Sequence, residues 1–227
     1  MCGIVGPNGS GKSTLLKIAG GLLAPRKGTA ELNGRPLPRM SRRSIARVLG
    51  FLPQECPVFF DYTVEQVVAM GRHAHGGVLE MSAPGDREAV DRALADVALE
   101  SLRHRPLSHL SGGERRRAWI GSALAQEPGL LLLDEPTQSL DLHQAAAVME
   151  VLARRAANGL RVVAVMHDLN LAALFCDRLV LMQNGKIASD GLPADLLTPD
   201  LISSVYGEKI EVISHPTTQK SIVLAKK

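Results

Sequence analysis

The chain contains few aromatic residues, few cysteines and no large excess of charge of either sign. Aromatic residues make up 3% of the 227 positions, and the formal net charge is only +3. So small a basic excess does not indicate a nucleic-acid-binding protein, in which a concentrated basic face is expected. Cys2, Cys56 and Cys176 lie far apart and lack the spacing of a metal site. They are predicted to be reduced, mostly buried thiols in a reducing compartment.

Long apolar segments are absent as well. No apolar run reaches the ~18 residues that a membrane-spanning helix needs. The longest candidate, 129–133, lies between Glu127 and Asp134. The N-terminus does not show a basic region followed by an apolar stretch, which is the pattern of an export signal. We therefore expect a cytosolic protein that reaches a membrane only through a partner.

Apolar strands alternate with amphipathic helices along the chain. Short apolar runs predict strands at 47–52, 130–133, 162–166 and 179–182. Helical patterns occur at 13–20, 64–70, 86–99, 142–157 and 169–176. Two Asn-Gly pairs, at 33–34 and 184–185, predict hairpins. The alternation predicts an α/β fold with a mostly parallel sheet buried on both faces and a small antiparallel part. The stretch from about Pro53 to Arg105 is mostly helical and is interpreted as an inserted lobe, with a loop at 76–85.

The first motif with chemical meaning is GPNGSGKST at 6–14, which fits the phosphate-binding pattern GxxxxGK[ST]. Its candidate nucleotide-binding residues are Gly6, Pro7, Asn8, Gly9, Ser10, Gly11, Lys12, Ser13 and Thr14. The glycines let backbone N–H groups approach phosphate oxygens, and the following helix adds its positive N-terminal end. Lys12 is predicted to contact the β- and γ-phosphates, and the Ser13 hydroxyl to ligate Mg²⁺. The alternative is an ordinary glycine-rich turn before a helix.

The second motif, LLLLDEP at 130–136, places two acids at the end of an apolar strand. Ligands bind at that edge of an open parallel sheet. Asp134 is predicted to hold Mg²⁺ through water, and Glu135 to activate a water for attack on phosphorus. The alternative is that both acids are simply solvated.

The third motif, LSGGE at 110–114, begins a helix that is predicted to continue to about Gln126. Ser111 and Glu114 form the capping-box pattern S-x-x-E. Gly112 and Gly113 each weaken a helix by ~1 kcal/mol relative to alanine, so a simple cap has no use for them. They suit a backbone that approaches a phosphate closely. The arginines that follow, at 115–117, are interpreted as a solvated helix face.

These motifs, in this order and together with Gln54, Ser139-Leu140-Asp141 and His167, resemble those of the ATP-binding cassette (ABC) ATPases. The resemblance covers essentially the whole chain. It implies one domain, 1–227, with the fold of an ABC-type P-loop NTPase and a helical subdomain at approximately 55–125 inserted into a RecA-like core. It also implies a head-to-tail homodimer with two bound ATP molecules. Each ATP would be held by the P-loop of one subunit and by Ser111, Gly112 and Gly113 of the other.

The resemblance further implies roles for single residues. Gln54 would contact Mg²⁺ and the attacking water, Asp141 would link the subunits at the nucleotide, and His167 would contact the γ-phosphate. The expected catalytic residues are Glu135, His167, Gln54 and Lys12, and the expected metal-binding residues are Ser13, Gln54 and Asp134. Simpler interpretations remain open: Gln54 as a loop residue, His167 as a strand-end histidine with local partners, and Asp141 as a helix N-cap.

The position of the P-loop close to Met1 is unusual for the family. Relatives have further strands before it, with an aromatic residue that stacks on adenine, whereas every aromatic residue here follows the P-loop. We therefore expect an N-terminally shortened cassette, through a misplaced start, an artificial boundary or a real truncation. Loss of the stacking predicts weak nucleotide affinity and poor base discrimination, and the remaining sheet edge is expected to lack partners.

Four segments are similar to importers of iron–siderophore complexes, haem and cobalamin: 61–65, 70–73, 166–173 and 197–207. The similarity implies an ATPase that drives uptake of an iron(III)-siderophore-type chelate. Its partners would be permease subunits, at the cytoplasmic face of the inner membrane, and indirectly a substrate-binding protein, with no nucleic acid. Haem import, cobalamin import and a non-catalytic interaction module are the alternatives. The aromatic residues at 58–65 would either contact the permease or fill the core of the lobe.

Overall fold

The computed structural model describes residues 1–56, 60–76, 85–217 and 219–226. The strands within these ranges are β1 (Cys2–Val5), β2 (Glu31–Leu32), β3 (Arg35–Pro36), β4 (Leu49–Leu52), β5 (Leu130–Asp134), β6 (Arg161–Val165), β7 (Arg178–Gln183), β8 (Lys186–Gly191), β9 (Ile210–Ser214) and β10 (Ser221–Ala225). The α-helices within the same ranges are α1 (Lys12–Ala19), α2 (Arg42–Ala46), α3 (Val64–Ala69), α4 (Asp86–Asp96), α5 (Gly112–Ala125), α6 (Leu142–Ala157), α7 (Leu169–Phe175), α8 (Pro193–Leu196) and α9 (Pro199–Tyr206).

The main sheet has six strands in the order β4-β5-β6-β1-β7-β8. All neighbours are parallel except β7 and β8, which form an antiparallel hairpin. Strand β1 is hydrogen-bonded on both sides, to β6 and to β7, so the segment before the P-loop lies inside the sheet. The pairs β2–β3 and β9–β10 form separate two-stranded antiparallel sheets. The predicted α/β fold with a mostly parallel sheet is confirmed.

The four leucines of β5 show how the sheet is buried on both faces. Leu131 and Leu133 belong to one apolar cluster, and Leu132 belongs to the other. Successive side chains of a strand point to opposite faces, so the two clusters lie on opposite sides of the sheet. A strand with helices on both faces must be apolar at every position, which explains the unbroken run.

Turn and cap residues set the element boundaries close to where they were predicted. Asn33 and Asn184 have φ values of 51° and 48°, as a two-residue hairpin turn requires. Helix α6 begins after Asp141, whose carboxylate accepts a hydrogen bond from the Gln144 N–H. The first of the two predicted hairpins is short, because each of its strands covers only two residues.

Between β4 and β5 lie α3, α4 and α5, which pack against one another. Residues 77–84 of the predicted loop at 76–85 lie outside the described residues. The three cysteines are free, but only Cys176 is buried; Cys2 and Cys56 are half-buried because they lie at a strand end and in a loop. In the part of the chain that the structure describes, no helix is both long and apolar enough to span a membrane.

Candidate functional site

The loop between β1 and α1 has a backbone that only glycine adopts easily. Gly6, Gly9 and Gly11 have φ values of 149°, 77° and 97°. At Gly6 a Cβ atom would lie 2.2 Å from the carbonyl oxygen of Met182. Any side chain there would therefore displace the loop from β7.

Lys12 extends back along this loop. Its Nζ donates hydrogen bonds to the carbonyl oxygens of Gly6 and Pro7, at 2.8 and 2.9 Å. Burial lowers the pKa of Lys12, and the nearby carboxylates of Glu135 and Asp134 partly offset this. Ser10 is also buried, and its Oγ has no hydrogen-bond partner among the described residues. Among the described residues no carboxylate contacts the buried Lys12 ammonium, and a buried cation of this kind beside an unpaired hydroxyl suits a bound anion.

The two acids at the end of β5 contact different partners. Asp134 Oδ1 accepts a hydrogen bond from Ser13 Oγ at 2.8 Å, and only 1% of Asp134 is exposed. Glu135 Oε2 accepts a hydrogen bond from Gln54 Nε2 at 3.0 Å. Glu135 Oε1 is hydrogen-bonded to His167 Nε2. Asp134 is therefore connected to the P-loop, whereas Glu135 is held between two other side chains.

The strand order explains why Gln54, Glu135 and His167 meet. They follow β4, β5 and β6, which are adjacent and parallel. The carboxyl ends of parallel strands lie at one edge of the sheet, where open α/β sheets bind ligands. Residues that are about 80 and 30 positions apart from Glu135 in the sequence are thus brought into contact.

A single cavity of about 860 Å³ joins the P-loop to these side chains. Its lining residues are Asn8, Gly9, Gly11, Lys12, Ser13, Thr14, Gln54, Glu135, Thr137, Gln138, Leu140, Leu142, Ala145, His167, Asp168 and Leu171. The lining does not include Gly6, Pro7, Ser10 or Asp134. Gly6 and Pro7 are hydrogen-bonded to Lys12, and Asp134 to Ser13, which do line the cavity. The predicted catalytic residues, Lys12, Gln54, Glu135 and His167, all line the cavity.

The model of the family described as ABC transporter matches residues 1–138. The chain belongs to the ABC transporter family. Among curated relatives, the hemin import ATP-binding protein HmuV of Nocardia farcinica is 43% identical over 221 residues, 97% of this chain and 76% of the relative. The cobalamin import ATP-binding protein BtuD of Halobacterium salinarum is 41% identical over 219 residues, 96% of this chain and 54% of the relative. The ferric enterobactin transport ATP-binding protein FepC of Escherichia coli is 36% identical over 222 residues, 97% of this chain and 82% of the relative.

Solved structures of ABC proteins share the fold. A transporter assigned to the metal-chelate type, in an inward-facing conformation, superposes with a TM-score of 0.86 at 26% identity, over 100% of this chain and 87% of that one. A dimeric ATP-binding cassette in a post-hydrolysis state, bound to ADP and Pi, gives a TM-score of 0.74 at 28% identity, with 85% of each chain covered. This chain is an ABC-type ATPase and binds ATP.

The residues of this ABC ATPase also fit Mg²⁺. No group of three or more His, Cys, Asp or Glu side chains that could hold a metal occurs within the described ranges. Mg²⁺ does not need such a group, since it keeps several waters and binds through one or two protein oxygens and the substrate phosphates. The hydroxyl of Ser13 and the carboxylate of Asp134 are in contact and provide oxygens of this kind. Gln54, the third predicted metal-binding residue, lines the same cavity.

The four predicted nucleotide-binding residues outside the P-loop do not line the cavity either: Ser111, Gly112, Gly113 and Asp141. Ser111 forms the predicted capping box, in which its Oγ accepts from the Glu114 N–H and its own N–H donates to Glu114 Oε2. A Cβ atom at Gly113 would overlap the Gln144 side chain, so the first turns of α5 and α6 lie side by side. Both caps are satisfied locally, and the contact of these residues with a second subunit's ATP stays a prediction.

The interpretation of the three arginines of α5 as a solvated face was wrong for Arg116. Arg115 is exposed, but Arg116 is only 8% exposed. Its guanidinium donates hydrogen bonds to backbone carbonyls of the two loops that carry Gln54 and Glu135. The sequence contained a signal for this, because Arg116 lies four positions before Ile120, on the buried stripe of the helix.

Proposed function

We propose that this ATPase energises uptake of an iron(III)-siderophore-type metal chelate through a separate membrane permease. The catalytic part of the proposal is carried by one observation: Glu135 lies between Gln54 and His167 in the cavity that contains the P-loop. An ATPase needs a positioned carboxylate near the site of the γ-phosphate and donors that orient the attacking water. The chelate part is supported by the relatives' names and by the similar transporter of the metal-chelate type.

In this proposal the residues divide the work of phosphoryl transfer. Lys12 and the P-loop backbone bind the phosphates of ATP, and Ser13 and Asp134 hold Mg²⁺, which neutralises charge on the phosphates when it is bound. Glu135 accepts a proton from the attacking water, while Gln54 and His167 fix its carboxylate and the water. Ser111, Gly112, Gly113 and Asp141 act at the nucleotide of the second subunit in a homodimer.

A glutamine at position 135 tests the proposed base. Glu135→Gln keeps the shape and one hydrogen-bond acceptor but cannot take a proton. We expect its kcat to fall by about 10²- to 10⁴-fold, with ATP binding retained. Glu150→Gln removes the same charge from an exposed position of α6 and is the matched control. Equal turnover in the two variants would remove Glu135 from this role.

The permease is proposed to bind at a second concave region, of about 420 Å³, between β4, residues 70–74 and α5. Phe51, Met70 and Trp119 contribute to its largely apolar lining. Phe60, nearby in sequence, is 68% exposed, which favours an interface over a core position for this aromatic residue. Val58 and Phe59 lie outside the described residues. Binding there would hold the ATPase at the cytoplasmic face of the membrane.

Uptake assays with the complete transporter test the cargo. Cells that lack this gene are compared with complemented cells for uptake of a ferric hydroxamate siderophore, of haemin and of cobalamin. We expect only siderophore-bound iron uptake to depend on the gene and on Glu135. If uptake of haemin or cobalamin depended on the gene instead, the proposed cargo would be wrong and the assignment as an ATPase would stand. The relatives HmuV and BtuD are import ATP-binding proteins for these two alternative cargoes.

A further inference from the structure

The buried guanidinium of Arg116 contacts two catalytic loops at once. Five N–H···O=C hydrogen bonds, of 2.9 to 3.1 Å, lead to the carbonyl oxygens of Pro53, Gln54, Asp134, Glu135 and Pro136. An arginine has five N–H donors. The donors and the acceptors are therefore equal in number, and the guanidinium is saturated by backbone oxygens.

Arg116 has no ion-pair partner within the described ranges. Burying a charge is costly unless fixed dipoles or an opposite charge compensate for it. Here the hydrogen bonds that compensate for the charge all come from carbonyls of the two loops, and the nearby carboxylates of Asp134 and Glu135 add a favourable charge interaction without direct contact. A lysine could not replace it, because an ammonium group has three donors and no planar fork. The position demands the geometry of arginine, which an ordinary helix surface does not.

The carbonyls that Arg116 binds surround a residue with an unusual backbone conformation. Glu135 has a φ of 52°, in the left-handed region that residues with a side chain rarely adopt. Arg116 binds the carbonyls immediately before, at and after this residue. Such conformations persist only where the surroundings hold them. The same guanidinium binds the Gln54 carbonyl, and the side chain of Gln54 contacts the Glu135 carboxylate.

We propose that Arg116 is a positioning residue for ATP hydrolysis, which fixes the backbones of Gln54 and Glu135 relative to each other and connects both to α5. The proposal rests on the role proposed above for Glu135. Helix α5 begins at the capping box of Ser111. If the nucleotide of a partner subunit moves the first turn of α5, Arg116 transmits that movement to the loops that carry Gln54 and Glu135. Arg116 touches neither nucleotide nor water in this scheme. It determines where the groups that do so are placed.

The test compares Arg116→Lys and Arg116→Met with Arg115→Gln, in the full-length chain. Arg115 is exposed on the same helix and serves as the charge-matched control. A displacement of about 1 Å in a catalytic group can cost 10²-fold in rate. We therefore expect kcat to fall about 10- to 100-fold in Arg116→Met and less in Arg116→Lys, with the KM for ATP and the Kd of a fluorescent ATP analogue unchanged within about threefold. Arg115→Gln should match the wild type.

Turnover is expressed per ATP-binding molecule, so that loss of folded protein is not counted as loss of catalysis. A residue that only stabilises the fold would lower the melting temperature and leave this corrected kcat unchanged, which would overturn the proposal. A rise in the KM for ATP with unchanged kcat would overturn it too. Where Arg116→Met yields no folded protein, the same criteria are applied to Arg116→Lys.

The double variant Glu135→Gln/Arg116→Met separates this proposal from the proposed base. If Arg116 acts through Glu135, the double variant should turn over ATP at the rate of Glu135→Gln alone, because residues that act as a unit are not additive. Losses that multiply would contradict action through Glu135. Full turnover in Glu135→Gln alone would instead contradict the role of Glu135 and identify that as the failed step.

Discussion

At the scale of single residues, the glycines of the P-loop differ in what they tolerate. Gly6 combines a φ of 149° with a carbonyl oxygen 2.2 Å from the position of a Cβ atom. Gly9 has a φ of 77°, and no described residue lies within 4 Å of the position of its Cβ atom. Gly9→Ala should therefore cost only the left-handed strain of about 1–2 kcal/mol. Gly6→Ala must also move the loop away from β7.

We expect Gly6→Ala to raise the Kd for ATP by more than about tenfold, equivalent to about 1.4 kcal/mol of binding free energy. Gly6→Ala should also melt at a lower temperature than Gly9→Ala. Thermal melts and titration with a fluorescent ATP analogue measure the two effects. Equal losses in the two variants would show that φ alone, and not the contact with Met182, makes glycine necessary at position 6.

One buried group, Cys176, and one half-buried group, Tyr206, should make the fold sensitive to alkaline conditions. Burial raises the pKa of the Cys176 thiol to about 12, from 9.0, and that of the Tyr206 hydroxyl to about 12, from 10.0. A hydrogen bond from the backbone of Gly6 partly opposes the shift at Tyr206. The folded state binds these protons more tightly than the unfolded state. Their contribution to the free energy of unfolding is therefore complete at pH values below the pKa values of the unfolded chain. It is lost as the pH rises from about 9 towards 12.

Tyr206→Phe and Cys176→Ala each remove one of these titrations. Both variants should lose less free energy of unfolding between about pH 8 and pH 11 than the wild type does. Urea denaturation at the two pH values measures this difference, and each variant's value at the lower pH corrects for lost packing or hydrogen bonding. If the variants lost as much free energy of unfolding between the two pH values as the wild type does, the two groups would have the same pKa in the folded and unfolded states.

At the scale of secondary-structure elements, two helices begin with the same device but are predicted to differ in use. Thr63 and Gln66 form a capping box at α3, and Ser111 and Glu114 form one at α5. Loss of either N-cap hydroxyl should lower stability by about 1 kcal/mol. Only Ser111 is predicted to contact the partner subunit's ATP.

Thr63→Ala should therefore lower the melting temperature without changing kcat, whereas Ser111→Ala should lower both. Steady-state ATPase assays well below the melting temperature of each variant measure the difference. If Ser111→Ala retained full turnover at the same loss of stability, the capping box would be its whole role, and the predicted contact with nucleotide would be wrong.

The elements that were predicted best have local start and stop signals. Helix α6 was predicted at 142–157 and is Leu142–Ala157, because Asp141 caps its beginning and Gly159, with a φ of 97°, ends it. The contact of Gln54 and His167 with Glu135 could not be read from such signals, because the order of β4, β5 and β6 depends on long-range pairing. Those residues came from the resemblance to the ABC ATPases. Arg116 was missed because three adjacent arginines were interpreted together as a solvated face, although its spacing from Ile120 places it on the buried stripe of α5.

At the scale of the whole molecule, one chain provides only part of the predicted ATP site. The P-loop, Glu135 and His167 share a cavity, but Ser111 and Asp141 do not line it. The fold is similar to that of a dimeric cassette with ADP and Pi. In a two-fold symmetric dimer, a surface of one subunit completes a site of the other twice. Variants defective in different halves of the site should therefore complement each other.

Lys12→Ala removes the P-loop cation, and Ser111→Arg places a bulky charge where the partner's phosphates are predicted to lie. Each homodimer then has two defective sites. In the mixed dimer, one site combines both defects and the other combines the intact P-loop of one subunit with the intact Ser111 of its partner. Random pairing makes half of the dimers mixed, so the mixture should recover about a quarter of wild-type turnover if the two sites act independently.

The measurement is steady-state ATPase activity of each variant alone and of a one-to-one mixture, with differently tagged subunits to demonstrate pairing. Pairing without recovered turnover would contradict the shared site, because an intact P-loop and an intact Ser111 would then meet without forming a competent centre.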